Sequence, residues 1–401
     1  MGFFDKMFGS KDGGTKSVEE EGADLVTALQ MHLRGELQSS LAAYERFAVD
    51  SPNDNLAPFF AAAARAALDD FTGAAEGLRA LSRRAAEEET TISRAVAGDL
   101  VALLHEEPFL KVPEVAEVVI SLGDALKSHG FVQESAVCFE IAAGLLPEHA
   151  NVLHKLGDTL HDLRMYEYAD TVLQEALRLA PNHWDSLYTH AVLLQDLGRF
   201  DEALEQYEKA VRLSPDHVKC RNNYGAALMM ANRLDEALEQ CSEAERLDPL
   251  FPLAKVNLGN INLLKGDAEA ARACFERAIS LDETLALAHF GLGSAEQSLG
   301  ADGERVRQLY LRAIELNPAF AEFHHALGRL LVREGNPEAL TYLAAAVQLN
   351  GALRYVHRDF GLACLQLGRR EEGVEHLKIA LQQNPDDAEI LSLLSEHSVT
   401  A

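Results

Sequence analysis

The chain has 401 residues, 48% apolar and 25% charged, a composition too apolar for disorder. Lys and Arg number 36 against 63 Asp and Glu, a formal net charge of −27 that disfavours phosphate backbones and anionic lipid as generic ligands, so no nucleic acid is expected as a partner. Five cysteines without a CxxC pair argue against a disulfide framework or a zinc site and suit a reducing compartment. No apolar run approaches the roughly 20 residues of a bilayer span, and no secretory signal opens the chain, so a cytoplasmic protein without stable membrane insertion is expected.

Residues 1–21 form a segment of their own. Met1 to Phe8 reads Met-Gly-Phe-Phe-Asp-Lys-Met-Phe. Phe4 and Phe8 are four apart, as are Phe3 and Met7, so one or two helical turns would present an apolar face. Gly9 to Glu21 is polar and reads as a tether. Three readings stand side by side: a frayed start, a docking peptide acting through Phe3, Phe4, Met7 and Phe8, or a weak membrane-surface anchor. Lys6 occupies the position where the myristoylation pattern needs Ser or Thr, which excludes that modification.

Residues 22–107 carry degenerate helical hairpins. Asp24 to Pro52 shows two short helical patterns broken at Gly35, and Asn55 to Arg84 shows two more around a turn near Asp69 to Thr72. Ala85 to His105 reads as one further helix, opening on Glu87-Glu88-Glu89 with Ile92, Val96, Leu100 and Leu103 on one side. Glu106 to Pro113 holds two prolines and no periodicity, and is taken as a junction.

The main array occupies residues 116–386. Pro181, Pro215 and Pro249 fall 34 residues apart, and between them Ala169, Ala203 and Ala237, then Ala176, Ala210 and Ala244, recur in phase. Units begin near Ala116, Ala150, Trp184, Val218, Pro252, Ala286, Ala321 and Arg354, about eight in all. The turn at Gly300 to Glu304 carries one extra residue, and Gly335-Asn336-Pro337 is one shorter. Residues 387–401 read as a capping helix and tail. Within a unit, Gly198 can end a helix in the left-handed conformation, Asp201 can cap the next, and Ala203 lets the pair approach. Gly157, Gly225, Gly259, Gly293, Gly328 and Gly361 recur mid-helix, where glycine costs about 1 kcal/mol against alanine. Their phase implies close packing that returns that cost. Cys138, Cys241 and Cys274 fall on the second-helix core face and read as small buried apolar residues.

A 34-residue period with these alternating large and small apolar residues resembles the tetratricopeptide repeat family. The resemblance is strong over 116–395 and weak over 24–84. It implies an all-α solenoid, a right-handed superhelix of antiparallel helix pairs whose first helices line a concave groove. In that family positions 2, 5, 9, 12 and 13 of each first helix face the groove. Carried onto this chain they include Asn151, His154, Asp158, His161 and Asp162 early, Tyr188, Asn222, Met229, Met230, Leu253, Asn260, Leu263, Leu264 and Phe290 in the middle, and His325, Arg329, Arg333 and Arg358 late. The surface is therefore expected to run from acidic through apolar to basic. Asn223 and Asn257 resemble two rungs of the asparagine ladder that holds extended peptide in O-linked N-acetylglucosamine transferases. The catalytic region of those enzymes has no counterpart after the repeats. The Lys, Asn and Arg set of the chaperone-tail clamp is not matched by three successive units.

His154, Asp158 and His161 have conceivable metal spacing but no supporting motif, and no phosphate loop, nucleophile elbow or kinase signature occurs. The reading is a non-catalytic adaptor without cofactor that holds an extended or helical protein segment across the third to sixth units. A self-assembling scaffold is one alternative, and the repeat subunit of a glycosyltransferase complex is another.

Overall fold

The computed structural model describes residues 24–87, 91–107, 110–353 and 355–398. Phe3, Phe4, Met7 and Phe8, like the whole 1–21 segment, lie outside them, as do Glu88, Glu89 and Arg354. The chain divides into two compact units between Leu213 and Ser214. Each is built from antiparallel helix pairs, and the described residues contain no strand.

The first unit contains α1 (Leu25–Leu33), α2 (Leu37–Asp50), α3 (Leu56–Ala67), α4 (Phe71–Glu87), α5 (Ile92–Glu106), α6 (Val112–Ser128), α7 (Val132–Leu145), α8 (Ala150–Asp162), α9 (Tyr166–Leu179), α10 (Trp184–Asp196) and α11 (Phe200–Leu213). One apolar cluster runs from Leu25 through Tyr44, Phe59, Phe60, Leu78, Leu100 and Leu126 to Val152. The hairpins before Glu106 and the array after it therefore share a core. Two sequence expectations need correction here. Ala85 closes α4 and does not open the next helix, because its side chain is buried with Leu78 and Leu81. The array begins at Val112, since Pro113 sits in the first turn of α6, where its missing N–H is no loss.

The second unit contains α12 (Val218–Met230), α13 (Leu234–Leu247), α14 (Pro252–Leu264), α15 (Ala268–Leu281), α16 (Ala286–Ser298), α17 (Gly303–Leu316), α18 (Ala321–Arg333), α19 (Ala339–Leu349), α20 (Val356–Gln366), α21 (Arg370–Gln383) and α22 (Ala388–Ser398). Its core is a series of small clusters, each taken from neighbouring helices: Val256, Phe275, Ala288 and Leu292, then Val306, Tyr310, Leu327 and Leu331, then Leu343, Phe360 and Cys364. The eighth repeat opens at Val356 after Tyr355, which has a φ of 67°.

The repeat chemistry explains this geometry. Gly198 has a φ of 75°, and the Arg199 amide donates to the Leu194 carbonyl at 2.8 Å, closing α10. Asp201 does not cap α11 as expected, because that helix already begins at Phe200; its carboxylate lies in the first turn, where the helix dipole favours it. Asp248 leaves α13 in extended backbone (φ −136°, ψ 93°), as a residue before proline must. A Cβ on Gly259 would stand 2.6 Å from Cζ of Phe275, so α14 and α15 approach only because that atom is missing. Gly157 has the same relation to Leu173 at 2.5 Å. No helix among the described residues is long and apolar enough to cross a membrane.

Candidate partner-binding face

Within the second unit, α12 contacts α14, α14 contacts α16, and α18 contacts α20, so successive first helices lie side by side. Residues eleven apart on one helix share a face, because three turns take about 10.8 residues. Leu253 and Leu264 are such a pair on α14, and they are 38% and 61% exposed. Met230 closes α12 as Leu264 closes α14, and Leu287 stands in the first turn of α16 as Leu253 does in α14; they are 57% and 42% exposed. Four large apolar side chains thus face water on three neighbouring first helices. Leu287 was missed in the sequence, although its phase matches that of Leu253. Met229 is half-buried, and Leu263 packs against the cluster around Val256 and Phe275. Phe290 is likewise drawn inward, with ring centroids 5.6 Å from Tyr310 and 5.0 Å from Phe323.

The asparagines form a different device from the expected ladder. Asn222 is buried at 4% exposure. Its Oδ1 accepts from Asn257 Nδ2 at 2.9 Å, and its own Nδ2 donates to Asn223 Oδ1 at 3.3 Å. Asn223 and Asn257 are therefore not two parallel rungs; they are joined through a buried amide that ties α12 to α14. Asn260 is half-buried on α14.

Charged positions at the late end of this unit pair among themselves. The buried Asp359 carboxylate accepts from His325 Nε2 at 2.8 Å and from Arg358 at 3.1 Å, and Arg329 Nε lies 3.3 Å away. Burial pushes the Asp359 carboxyl up, but the His325 hydrogen bond and the two guanidinium charges outweigh it and hold it below its ordinary value. His325, expected at the groove surface, is buried by this contact. Nothing in the sequence marks Asp359 as the acceptor, because the pairing joins residues 34 apart.

The first unit shows the same habit. Lys127 Nζ reaches Asp158 at 2.5 Å and Asp162 at 2.9 Å, and His161 Nε2 meets Asp196 at 2.8 Å. Two carboxylates of the expected acidic surface thus share one ammonium, and His161 and Asp158 turn to different partners, not to a shared centre. Tyr188 is half-buried, its ring 6.3 Å from that of Tyr207. The predicted core cysteines Cys138 and Cys241 are fully buried, while Cys274 is only partly so. Burial pushes the Cys241 thiol up to about 12, which removes it as a nucleophile near neutral pH.

Antiparallel helix pairs repeating every 34 residues, with large apolar side chains left exposed on neighbouring first helices, define an all-α helical-repeat protein. Tetratricopeptide repeat models match residues 150–183, 188–252, 254–285 and 309–351, so these stretches carry tetratricopeptide repeats. Among solved structures, a tetratricopeptide repeat protein from Parabacteroides merdae is similar over 62% of this chain and 98% of its own, at 16% identity and a TM-score of 0.50. That likeness is one of fold. YrrB, described as a tetratricopeptide repeat protein with an unusual peptide-binding site, matches 47% of this chain and 97% of its own at 24% identity and a TM-score of 0.37. Pseudomonas aeruginosa pilF matches 55% and 97% at 22% identity and a TM-score of 0.45. None of the curated proteins compared matches the chain.

Proposed function

We propose that this chain is a non-catalytic scaffold that seats the apolar side of a partner protein segment on the first helices α12, α14 and α16. The observation that carries the reading is the exposure of Leu253, Leu264, Leu287 and Met230 on neighbouring helices of one unit. Fully burying such a side chain gains about 1.5–3 kcal/mol, and about half of that is still to be gained at each of these partly exposed positions, so their grouping on neighbouring helices suits an interaction surface. The contrast with Asp359, His325 and Arg329, which satisfy one another, separates positions that hold the array together from positions open to a partner. Helix or extended strand, the segment would present apolar side chains in a row; Met230 adds an adaptable thioether at one end.

The test is affinity capture with the full chain and with a Leu264→Glu, Leu287→Glu variant, helicity being checked by circular dichroism. A partner retained by the parent chain and lost by a folded variant supports the reading. An unchanged set of captured proteins sinks it.

A further inference from the structure

The first unit contains a cavity of about 570 Å³ between α1, α3 and α6. Its apolar wall includes Leu33, Ala66, Val118 and Leu122, and Glu114 and Glu117 stand among its lining. His32 lines it as well, with its Nδ1 3.5 Å from the Tyr44 hydroxyl; burial lowers this imidazole to about 4, so His32 itself is uncharged at neutral pH. A volume of this size suits the side chains of a short peptide, on the scale of small-ligand pockets, better than a long helix.

We propose that this cavity is the seat of the chain's own first eight residues, held through Phe3, Phe4, Met7 and Phe8. Three observations favour that occupant. The segment is rich in large apolar side chains, which the cavity wall can receive. Lys6 lies among these apolar residues and can pair with Glu114 or Glu117 of the cavity. The tether has the right length. Residues 9–23 can reach at most about 50 Å when fully extended. The cavity meets α1 at His32 and Leu33, only about 12 Å along the helix from Leu25. Such a tether holds the peptide at an effective concentration on the order of millimolar, so even weak docking is populated within one molecule. The cavity is then occupied by a removable segment, which a competing apolar peptide must displace.

Benzoylphenylalanine placed at position 4 of the full chain tests this directly. The expected result is an intrachain cross-link to peptides holding Ala63–Ala67 or Pro113–Ala125, with a yield independent of protein concentration. Cross-links to a second copy, with a yield rising with concentration, would overturn the proposal. So would cross-links to vesicles of anionic phospholipid or to any other part of the chain. A labelled peptide of residues 1–8 supplies the second measurement. It should bind a Phe3→Ser, Phe4→Ser, Phe8→Ser full-length chain at least tenfold more tightly than the parent, and Ala67→Glu at the exposed rim should remove that binding. Equal binding to parent and variant, or none to either, contradicts it.

Discussion

Asn257 donates its side-chain amide to Asn222 Oδ1 across 2.9 Å, joining two first helices of the second unit. Asn222 is buried, so the bond acts on the packing of α12 against α14. Changing Asn222→Leu should cost about 1–2 kcal/mol by leaving the Asn257 amide short of its acceptor. A lowered midpoint in urea unfolding of the full chain checks this; an unchanged midpoint would mean that water replaces the bond without loss.

Gly259→Ala should destabilise even though alanine is the better helix former by about 1 kcal/mol. The added Cβ would lie 2.6 Å from the Phe275 ring, and overpacking of that kind costs about 1–3 kcal/mol. Adding Phe275→Leu should recover part of the loss in a double-mutant cycle. Simple additivity of the two changes would show that the ring is not the obstacle.

The Asp359→Asn variant keeps the shape and removes the charge that His325, Arg329 and Arg358 share. Hydrogen bonds to charged groups contribute about 1.5–3 kcal/mol each, so a loss of about 2 kcal/mol is expected in chemical unfolding. The parent carboxyl is held below its ordinary value, so its contribution is full above pH 3.8 and fades only as pH falls through the lower folded value.

His32 gives the opposite class of group the same direction in pH. Its folded value is about 4 against 6.5 in the unfolded chain, so between those values the unfolded chain binds more protons. Stability should therefore fall as pH drops from about 6.5 towards 4, by on the order of 3 kcal/mol for this group. His32→Leu should flatten that part of the pH–stability curve. A slope that survives the substitution would place its origin elsewhere.

The fold was legible because its signals are local and repeated. Gly198 and Asp248 each specify their turn within a few residues, and the pairing of Gly259 with Phe275 recurs from unit to unit at a spacing that varies by no more than one residue. The site was only half legible. Phase put Met230 and Leu264 at one repeat position, and the phase of Leu253 would have added Leu287. It could not separate Leu263 from Leu264, since one residue of rotation turns a side chain by about 100° and sends the first inward. Nor could it place Asn222, His325 or Asp158, whose partners Asn257, Asp359 and Lys127 come from neighbouring repeats. The start of α6 was hidden for a plainer reason: Pro113 reads as a breaker, yet at a helix N-terminus proline is well tolerated.

The most direct measurement is site-specific photo-cross-linking of the full chain in its native host. Benzoylphenylalanine would be placed at positions 264 and 287 on the first-helix face, and at position 239 on the exposed side of α13 as the comparison. Capture of the same protein from 264 and 287, and not from 239, is the result predicted. Equal capture from 239, or none from 264 and 287, would contradict the claim that this face seats a partner.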